Sequence, residues 1–207
     1  GYVWFATPFN MTPLIPDGSV VFDIGANIGI TARQFLDAGA GSVIAVEPCR
    51  ENFNMLAQVH GITPIHAAAW NCHTISEVSF CWNTCGWSSC EPKRWSEAYP
   101  DAKWDKPQYV PAITLDSMVQ VFGVPHLIKV DVEGCELKVL AGLSSKPAYV
   151  IFEFHGKFMD DARLILEMLR DRLGFEKANY VRENLDLNTL PTMPINEFIP
   201  RWINDAP

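Results

Sequence analysis

The fold of this chain is set at one short stretch, Val21-Phe22-Asp23-Ile24-Gly25-Ala26-Asn27-Ile28-Gly29. The apolar run over 20–24 is typical of a buried strand in a parallel sheet. The run breaks at Gly25, and apolar residues at helical spacing predict a helix from Gly29 to Ala38. A strand that passes through a glycine turn into a helix predicts a nucleotide-type site. The turn lets a ligand approach the backbone, and the helix start offers free N–H groups.

The turn departs from the dinucleotide pattern Gly-x-Gly-x-x-Gly. Its middle position is Asn27, a residue that tolerates the left-handed conformation better than most, and the third glycine of the pattern is missing. Nothing in this loop is shaped for a pyrophosphate. The candidate cofactor-binding residues of the stretch are Asp23, Gly25, Asn27 and Gly29.

A second apolar strand is predicted over 42–46 and ends at Glu47-Pro48. Glu47 follows the glycine turn by about 20 positions, where an acidic residue accepts hydrogen bonds from both hydroxyls of a ribose. The alternative is a solvated loop acid. We favour ribose binding because the strand end, the spacing and the acidic residue type agree.

Three motifs in order along the chain carry a resemblance to a known family. They are Asp-x-Gly-Ala-Asn-x-Gly from Asp23, Val-Glu-Pro at 46–48, and Ile128-Lys129-Val130-Asp131-Val132-Glu133-Gly134-Cys135-Glu136. Together they resemble the FkbM family of S-adenosylmethionine-dependent methyltransferases, from about residue 16 to about residue 156. The resemblance implies S-adenosyl-L-methionine as methyl donor, and usually a hydroxyl of a sugar, glycan or small natural product as acceptor.

The fold class that we expect is α/β, a doubly wound, Rossmann-like methyltransferase sheet. It is mostly parallel and carries a C-terminal antiparallel hairpin strand. Residues 62–70 are predicted as the third strand and its exit, 175–181 with 185–190 as the closing hairpin, and 195–203 as a short helix. In Rossmann-like methyltransferases the exit of the third strand lies beside the adenine. Ala69 there is small enough for a flat base, and Trp70 either flanks it or packs in the core.

Ionisable residues gather at the ends of two later predicted strands, 127–132 and 148–154. Alternation on the first places Lys129, Asp131 and Glu133 on one face, although a central strand is normally apolar throughout. A structural ion pair between Lys129 and Asp131 explains part of this pattern. It does not explain the acids at the carboxyl end of the strand, where doubly wound sheets bind their ligands.

The second of these strands delivers Glu153 and His155 to the same edge. Methyl transfer to a hydroxyl requires a group that removes its proton. We predict His155 or Glu133 as this base, with Glu153 lining the acceptor position. Lys129 and Asp131 are predicted to support them, and Asp131 also counts as a candidate cofactor-binding residue.

A divalent ion bound by Asp131, Glu133, Glu153 or His155 is an alternative use of the same group. Oxygen-rich sites suit magnesium, but the grouping serves proton chemistry equally well. We therefore do not predict a metal ion.

Residues 82–108 form an aromatic and cysteine-rich insertion in an otherwise single domain over 1–207. The segment shows no steady period, and a long loop rich in aromatic residues is more often functional than disordered. It holds Trp82, Trp87, Trp95 and Trp104. We predict a substrate lid whose aromatic faces stack on the acceptor, and a small satellite core under the insertion is the alternative.

Six cysteines are present. Cys49 and Cys135 are expected to be reduced packing residues beside the cofactor motifs. The four between Cys72 and Cys90 are open to disulfide pairing or to zinc binding with His73, but their spacing matches a zinc site poorly.

Composition limits the partners and the location of this chain. Its 207 residues and 48% hydrophobic content suit one globular domain, and a net charge of −8 argues against general binding to nucleic acid or anionic membranes. No apolar run approaches the roughly 18 residues of a membrane span. No signal peptide is visible after Gly1, so we expect a cytoplasmic enzyme, with a removed leader as the open alternative.

Two other function classes stay open at this point. A nicotinamide-dependent oxidoreductase uses the same kind of sheet, but the incomplete glycine pattern counts against it. A non-catalytic module that keeps a cofactor pocket within a larger assembly is the other alternative. The ionisable cluster counts against that second alternative.

Overall fold

The computed structural model of the chain describes residues 14–81, 88–105, 107–179 and 192–199. The strands are β1 (Val20–Ile24), β2 (Ser42–Val46), β3 (Ile62–Ile65), β4 (Ala68–Ala69), β5 (Thr74–Phe80), β6 (Ser88–Ser89), β7 (Gln108–Ile113), β8 (Leu127–Val130), β9 (Tyr149–Phe152), β10 (Lys177–Ala178) and β11 (Met193–Pro194). The helices are α1 (Ile30–Asp37), α2 (Arg50–Leu56), α3 (Pro92–Ala98), α4 (Leu115–Phe122), α5 (Glu136–Ala141) and α6 (Met159–Leu173).

A central sheet of five parallel strands organises the domain, in the order β3-β2-β1-β8-β9. Side chains of α1 and α2 pack in the core on one face, and side chains of α4, α5 and α6 pack in the core on the other. This is the predicted doubly wound α/β fold. The strand order reverses between β1 and β8, and ligands of such sheets bind at the carboxyl edge beside that reversal.

The first two strands have the predicted bounds, whereas the predicted third strand divides in two. β3 is the edge strand of the central sheet, where Pro64 is tolerated because an edge strand can spare a backbone donor. β4 leaves this sheet and pairs with β7. The adenine-side candidate Ala69 therefore lies on a strand of a second sheet, ordered β4-β7-β5-β6.

The insertion is partly regular, in contrast to the irregular segment that the sequence suggested. β5 pairs antiparallel with β7 and with β6, so the second sheet frames the insertion. α3 begins with Pro92 in its first turn, a position where proline's missing N–H costs nothing. Trp82 and Trp87 lie outside the described residues.

The C-terminal hairpin forms with a different second strand than expected. β10 pairs antiparallel with β11 as a separate two-stranded sheet, and the predicted partner 185–190 lies outside the described residues. Residues 195–199 are helical, as predicted for the tail. None of the helices in the described ranges is both long and apolar enough to cross a membrane.

The turn after β1 is held against the end of β8 by a glycine. Gly25 has φ +77°, and a Cβ built there would overlap the backbone carbonyl oxygen of Asp131. The sequence suggested that this glycine lets a ligand approach the backbone. In the structure it lets a neighbouring strand approach, so that two site-bearing segments meet without an intervening side chain.

We expect Gly25→Ala to lower the free energy of unfolding by about 2–5 kcal/mol, because it combines a left-handed backbone with an overlap of the Asp131 backbone. Gly18→Ala is the matched control, since Gly18 has φ +80° and no atom within 4 Å of the added Cβ. That variant should lose only about 1–2 kcal/mol. Urea unfolding measures both values, and equal losses would contradict close packing as the reason for Gly25.

Candidate active site

Lys129 joins the ends of β1 and β8. Its Nζ lies 3.4 Å from Oδ1 of Asp23 and 3.0 Å from Oδ2 of Asp131, and it donates a hydrogen bond to the carbonyl oxygen of Gly25 at 3.3 Å. The register of the two strands places Asp23 directly opposite Lys129. Burial works against the charge of Lys129, but the two carboxylates outweigh it and raise its pKa. The predicted pair with Asp131 is confirmed, and Asp23 is a second partner.

Asp23 is fully buried, and neither of its carboxylate oxygens accepts a hydrogen bond from a described residue. Burial raises its pKa, and the ammonium of Lys129 opposes that effect. A buried carboxylate oxygen without a hydrogen-bond donor is costly. Asp23 thus retains the capacity to bind a further donor.

Glu47 ties two loops together. Its Oε2 accepts a hydrogen bond from the backbone N–H of Asn27 at 2.8 Å, and its Oε1 accepts one from the N–H of Cys49 at 2.9 Å. Asn27 has φ 51°, the left-handed conformation that its residue type predicted. Glu47 is only 2% exposed, and burial raises its pKa to about 7. Each oxygen keeps one lone pair that these bonds do not use.

Glu133, Glu153 and His155 converge at the ends of β8 and β9. Nε2 of His155 lies 3.3 Å from Oε2 of Glu133 and 3.6 Å from Oε2 of Glu153. The alternation predicted through residue 133 is wrong, because β8 already ends at Val130. Glu133 reaches the group through a left-handed turn, with φ 55° followed by φ 90° at Gly134.

The electrostatics of this group favour a proton on His155. Burial disfavours the imidazolium, but the nearby carboxylates of Glu133 and Glu153 outweigh this effect and raise the pKa of His155 to about 10. Burial and the charge of Asp131 raise the pKa of Glu153 to about 9. Burial also raises the pKa of Glu133. Burial opposes the charge of Asp131, but Lys129 and hydrogen bonds, one of them shared with Glu153, lower its pKa.

The family profile of the methyltransferase FkbM domain matches residues 23–181. This chain belongs to the FkbM methyltransferase family. The match contains every site residue discussed above, from Asp23 to His155. No curated protein shows a significant match to the chain.

Part of the site of this FkbM methyltransferase could not be read from the motifs, because it comes from the insertion. Oγ of Ser89 donates to the carbonyl oxygen of Glu133 at 2.8 Å, and Nε1 of Trp95 donates to the same oxygen. Nη1 of Arg94 donates to the carbonyl oxygen of Gly134 at 3.1 Å. The insertion therefore fixes the turn that carries Glu133.

Trp95 packs against His155 in the interior of the protein. It is fully buried, and its ring packs edge-to-face on the ring of His155, with centroids 4.6 Å apart. A buried ring cannot stack on an acceptor, so Trp95 fits the satellite-core alternative and not the predicted lid. Its stacking partner Tyr99, with centroids 5.2 Å apart, is only half-buried. The lid stays a prediction for the rest of the insertion.

Glu136, the last residue of the third sequence motif, was not among the predicted site residues. Its Oε1 accepts hydrogen bonds from the backbone N–H groups of Val132 at 3.0 Å and Gly134 at 3.2 Å. It is 7% exposed, and burial raises its pKa to about 7. Glu136 thus binds the backbone N–H groups on either side of Glu133 and closes the turn that carries it.

Two candidate cofactor residues lie apart from these groups. Gly29 is the N-cap of α1, with φ 90°, and a Cβ there would lie 2.8 Å from Val59 and 2.9 Å from Leu56. Ala69 is buried in the core on β4. Both residues have a packing reason of their own, and their contact with a cofactor stays a prediction.

The cysteines of the described segments carry free thiols, in agreement with the reduced state predicted for Cys49 and Cys135. These thiols belong to Cys49, Cys72, Cys81, Cys90 and Cys135. Cys85 lies outside the described residues. The alternative of disulfide pairing gains no support from the cysteines that are described.

We expect Trp95→Phe to lower the free energy of unfolding by about 1–3 kcal/mol, because Glu133 loses one donor and the smaller ring leaves a cavity. Trp104→Phe is the matched control. Nε1 of Trp104 donates to Oγ of Ser96 at 3.0 Å, and the residue is only half-buried. Trp104→Phe should lower the free energy of unfolding by less than about 1 kcal/mol. Chemical denaturation of both variants measures the difference, and a larger loss for Trp104→Phe would refute this role of Trp95.

Glu136→Gln should change how stability depends on pH. A folded-state pKa of about 7, raised from 4.5, favours the protonated form, so its contribution to stability is full below pH 4.5 and is lost as the pH rises through about 7. Glutamine keeps the oxygen that accepts both N–H bonds and has no proton to lose. The variant should equal the wild type near pH 4.5 and exceed it in stability at about pH 8.

Thermal unfolding across this pH range tests the expectation for Glu136. Glu77→Gln removes an exposed carboxylate and controls for the change in net charge. A variant that is less stable than wild type at the upper pH would show that Glu136 is needed as a carboxylate.

Proposed function

We propose that this protein is an S-adenosylmethionine-dependent O-methyltransferase that acts on a hydroxyl of a sugar, a glycan or a small natural product. The observation that carries the proposal is the junction at Asp131. Its carboxylate binds Lys129, which holds the turn after β1, and it shares a hydrogen bond with Glu153. A cofactor group and a proton-handling group are therefore direct neighbours, as transfer between two bound molecules requires.

The residues around the first turn fit S-adenosylmethionine. Asp23 has buried oxygens without a hydrogen-bond donor among the described residues, which suits the ammonium group of the methionine part. The lone pairs that remain on Glu47 suit the two ribose hydroxyls. Asn27, Gly25 and Gly29 shape the turn between them. The bound cofactor supplies an electrophilic methyl group, and the chain supplies binding, orientation and proton removal.

The acceptor proton is assigned to Glu133. His155 already carries a proton at neutral pH, since its pKa is about 10, so it serves as a donor that orients Glu133 and the acceptor oxygen. Glu153 lines the same position, and Asp131 with Lys129 keeps the group in place. A raised pKa makes the Glu133 carboxylate a stronger base than an ordinary glutamate once it is ionised.

Tyr99 is proposed to contact the acceptor. Burial and then the charge of Glu133 raise the pKa of the Tyr99 hydroxyl. Its centroid lies 6.4 Å from that of His155. A half-buried aromatic ring of this kind offers a flat face to a sugar ring.

Glu133→Gln should keep the affinity for S-adenosylmethionine and lower methyl transfer by ~10²–10⁴-fold, the usual contribution of a general base. Calorimetry with S-adenosylmethionine, S-adenosylhomocysteine and NAD measures the first part. Transfer of labelled methyl groups to fractionated cell-extract acceptors measures the second. Glu77→Gln, with the same loss of charge at an exposed position of β5, should match the wild type in both.

Two results would contradict the proposed function. Tight binding of NAD without binding of S-adenosylmethionine would indicate an oxidoreductase. Full methyl transfer by Glu133→Gln would show that Glu133 is not the base.

A further inference from the structure

The group at the ends of β8 and β9 has the composition and spacing of a metal site. Glu133, Glu153 and His155 each offer one ligand atom, and these atoms all lie within 4.8 Å of one another. Asp131, the fourth ligand considered from the sequence, is not part of this set, because its Oδ2 binds Lys129 at 3.0 Å. The three remaining side chains bring their ligand atoms close enough together for one ion to contact all of them.

The charges around this position leave room for a further cation. Asp23, Asp131, Glu133 and Glu153 are four carboxylates, and the cations that face them are Lys129 and His155. The carboxyl groups therefore outnumber the cationic groups that face them by two. Lys129 is engaged by Asp23 and Asp131, so its charge does not extend fully to Glu133 and Glu153.

Glu133 adds a second, independent observation. Its Oε2 is buried and accepts no hydrogen bond of good geometry from the described residues, although Nε2 of His155 lies 3.3 Å away. The backbone at Glu133 is left-handed, a conformation that non-glycine residues rarely adopt. A cation between the two side chains would satisfy the oxygen.

We propose that Glu133, Glu153 and His155 bind a first-row divalent cation. One imidazole nitrogen with two carboxylate oxygens suits Mn²⁺, Fe²⁺ or Zn²⁺ better than Mg²⁺, which prefers oxygen ligands alone. The ion takes the place of the proton on Nε2 of His155, the atom that faces both glutamates. The sequence analysis predicted no metal ion and named magnesium for the alternative site of Asp131, Glu133, Glu153 or His155, whereas the three ligand atoms that lie together include an imidazole nitrogen.

The role of the ion rests on the proposed methyl transfer, whereas its binding does not. An ion held by three protein ligands keeps open positions, and an acceptor hydroxyl bound there becomes more acidic. Each glutamate offers one ligand atom, so the second oxygen of Glu133 remains available for the acceptor proton. Binding of the ion and proton removal by Glu133 are therefore compatible, and in the metal-bound protein the ion replaces the Nε2 proton of His155 as the group that orients the acceptor oxygen.

Titration of the chelator-treated full chain with Mn²⁺, followed by electron paramagnetic resonance, tests the site. We expect one tightly bound Mn²⁺ per chain, and modulation from a directly bound ¹⁴N nucleus in the pulsed spectrum. Glu153→Gln and His155→Gln should each weaken binding by at least ~10-fold, and the nitrogen signal should vanish in His155→Gln. Glu77→Gln should bind Mn²⁺ as the wild type does.

The pulsed spectrum of the wild type decides the matter even if a variant fails to fold. No bound Mn²⁺, or bound Mn²⁺ without nitrogen coupling, would overturn the site. Nitrogen-coupled Mn²⁺ in a chain that transfers no methyl group would support the site and contradict the proposed function. Methyl transfer that continues unchanged in chelator would overturn the role of the ion in the reaction.

Discussion

The structure depends first on the buried ammonium group of Lys129. It holds Asp23 on one strand and Asp131 beyond the end of the next, and it also binds the carbonyl oxygen of Gly25 between them. A buried ion pair of this kind gives little net stability, but loss of one partner leaves an uncompensated charge and costs about 3–5 kcal/mol. The interaction therefore matters less for holding the sheet together than for fixing where the two segments end.

In two of the loops that carry the candidate site, a buried glutamate accepts hydrogen bonds from two backbone N–H groups. Glu47 accepts two backbone N–H groups at the β1 and β2 ends, and Glu136 accepts two after β8. Each is a buried carboxylate whose pKa burial raises to about 7. Backbone groups in tight turns need such partners because the sheet no longer supplies them. Buried side chains of the protein itself therefore hold these loops at the carboxyl edge of the sheet.

The central sheet could be predicted from the sequence because buried parallel strands are continuous apolar runs bounded by glycine or acidic residues. This gave β1 and β2 their observed limits. The second sheet could not be predicted. Buried and exposed residues alternate only partly along β5, and the neighbouring insertion shows no regular hydrophobic period. α3 was missed because Trp95 is its single buried residue, so it shows no amphipathic repeat.

The sequence predicted which residues lie together at the candidate site better than it predicted their geometry. Strand order alone brings Glu133, Glu153 and His155 to one edge, so their convergence follows from the fold. The left-handed turn at Glu133 could not be predicted, because the alternation of apolar and ionisable residues continues through Glu133 in the sequence. The contacts from Ser89 and Arg94 join residues far apart along the chain, and a single sequence carries no signal for them.

The hydrogen bonds between the insertion and the turn at Glu133 limit how the insertion can be exchanged in protein engineering. Segments that shape substrate choice are usually exchanged between relatives as separable pieces. Here Ser89, Arg94 and Trp95 donate hydrogen bonds to the carbonyl oxygens of Glu133 and Gly134, so an exchanged insertion also removes the support of this turn. An exchanged insertion would have to keep those three side chains, or the turn that carries Glu133 would lose its hydrogen bonds.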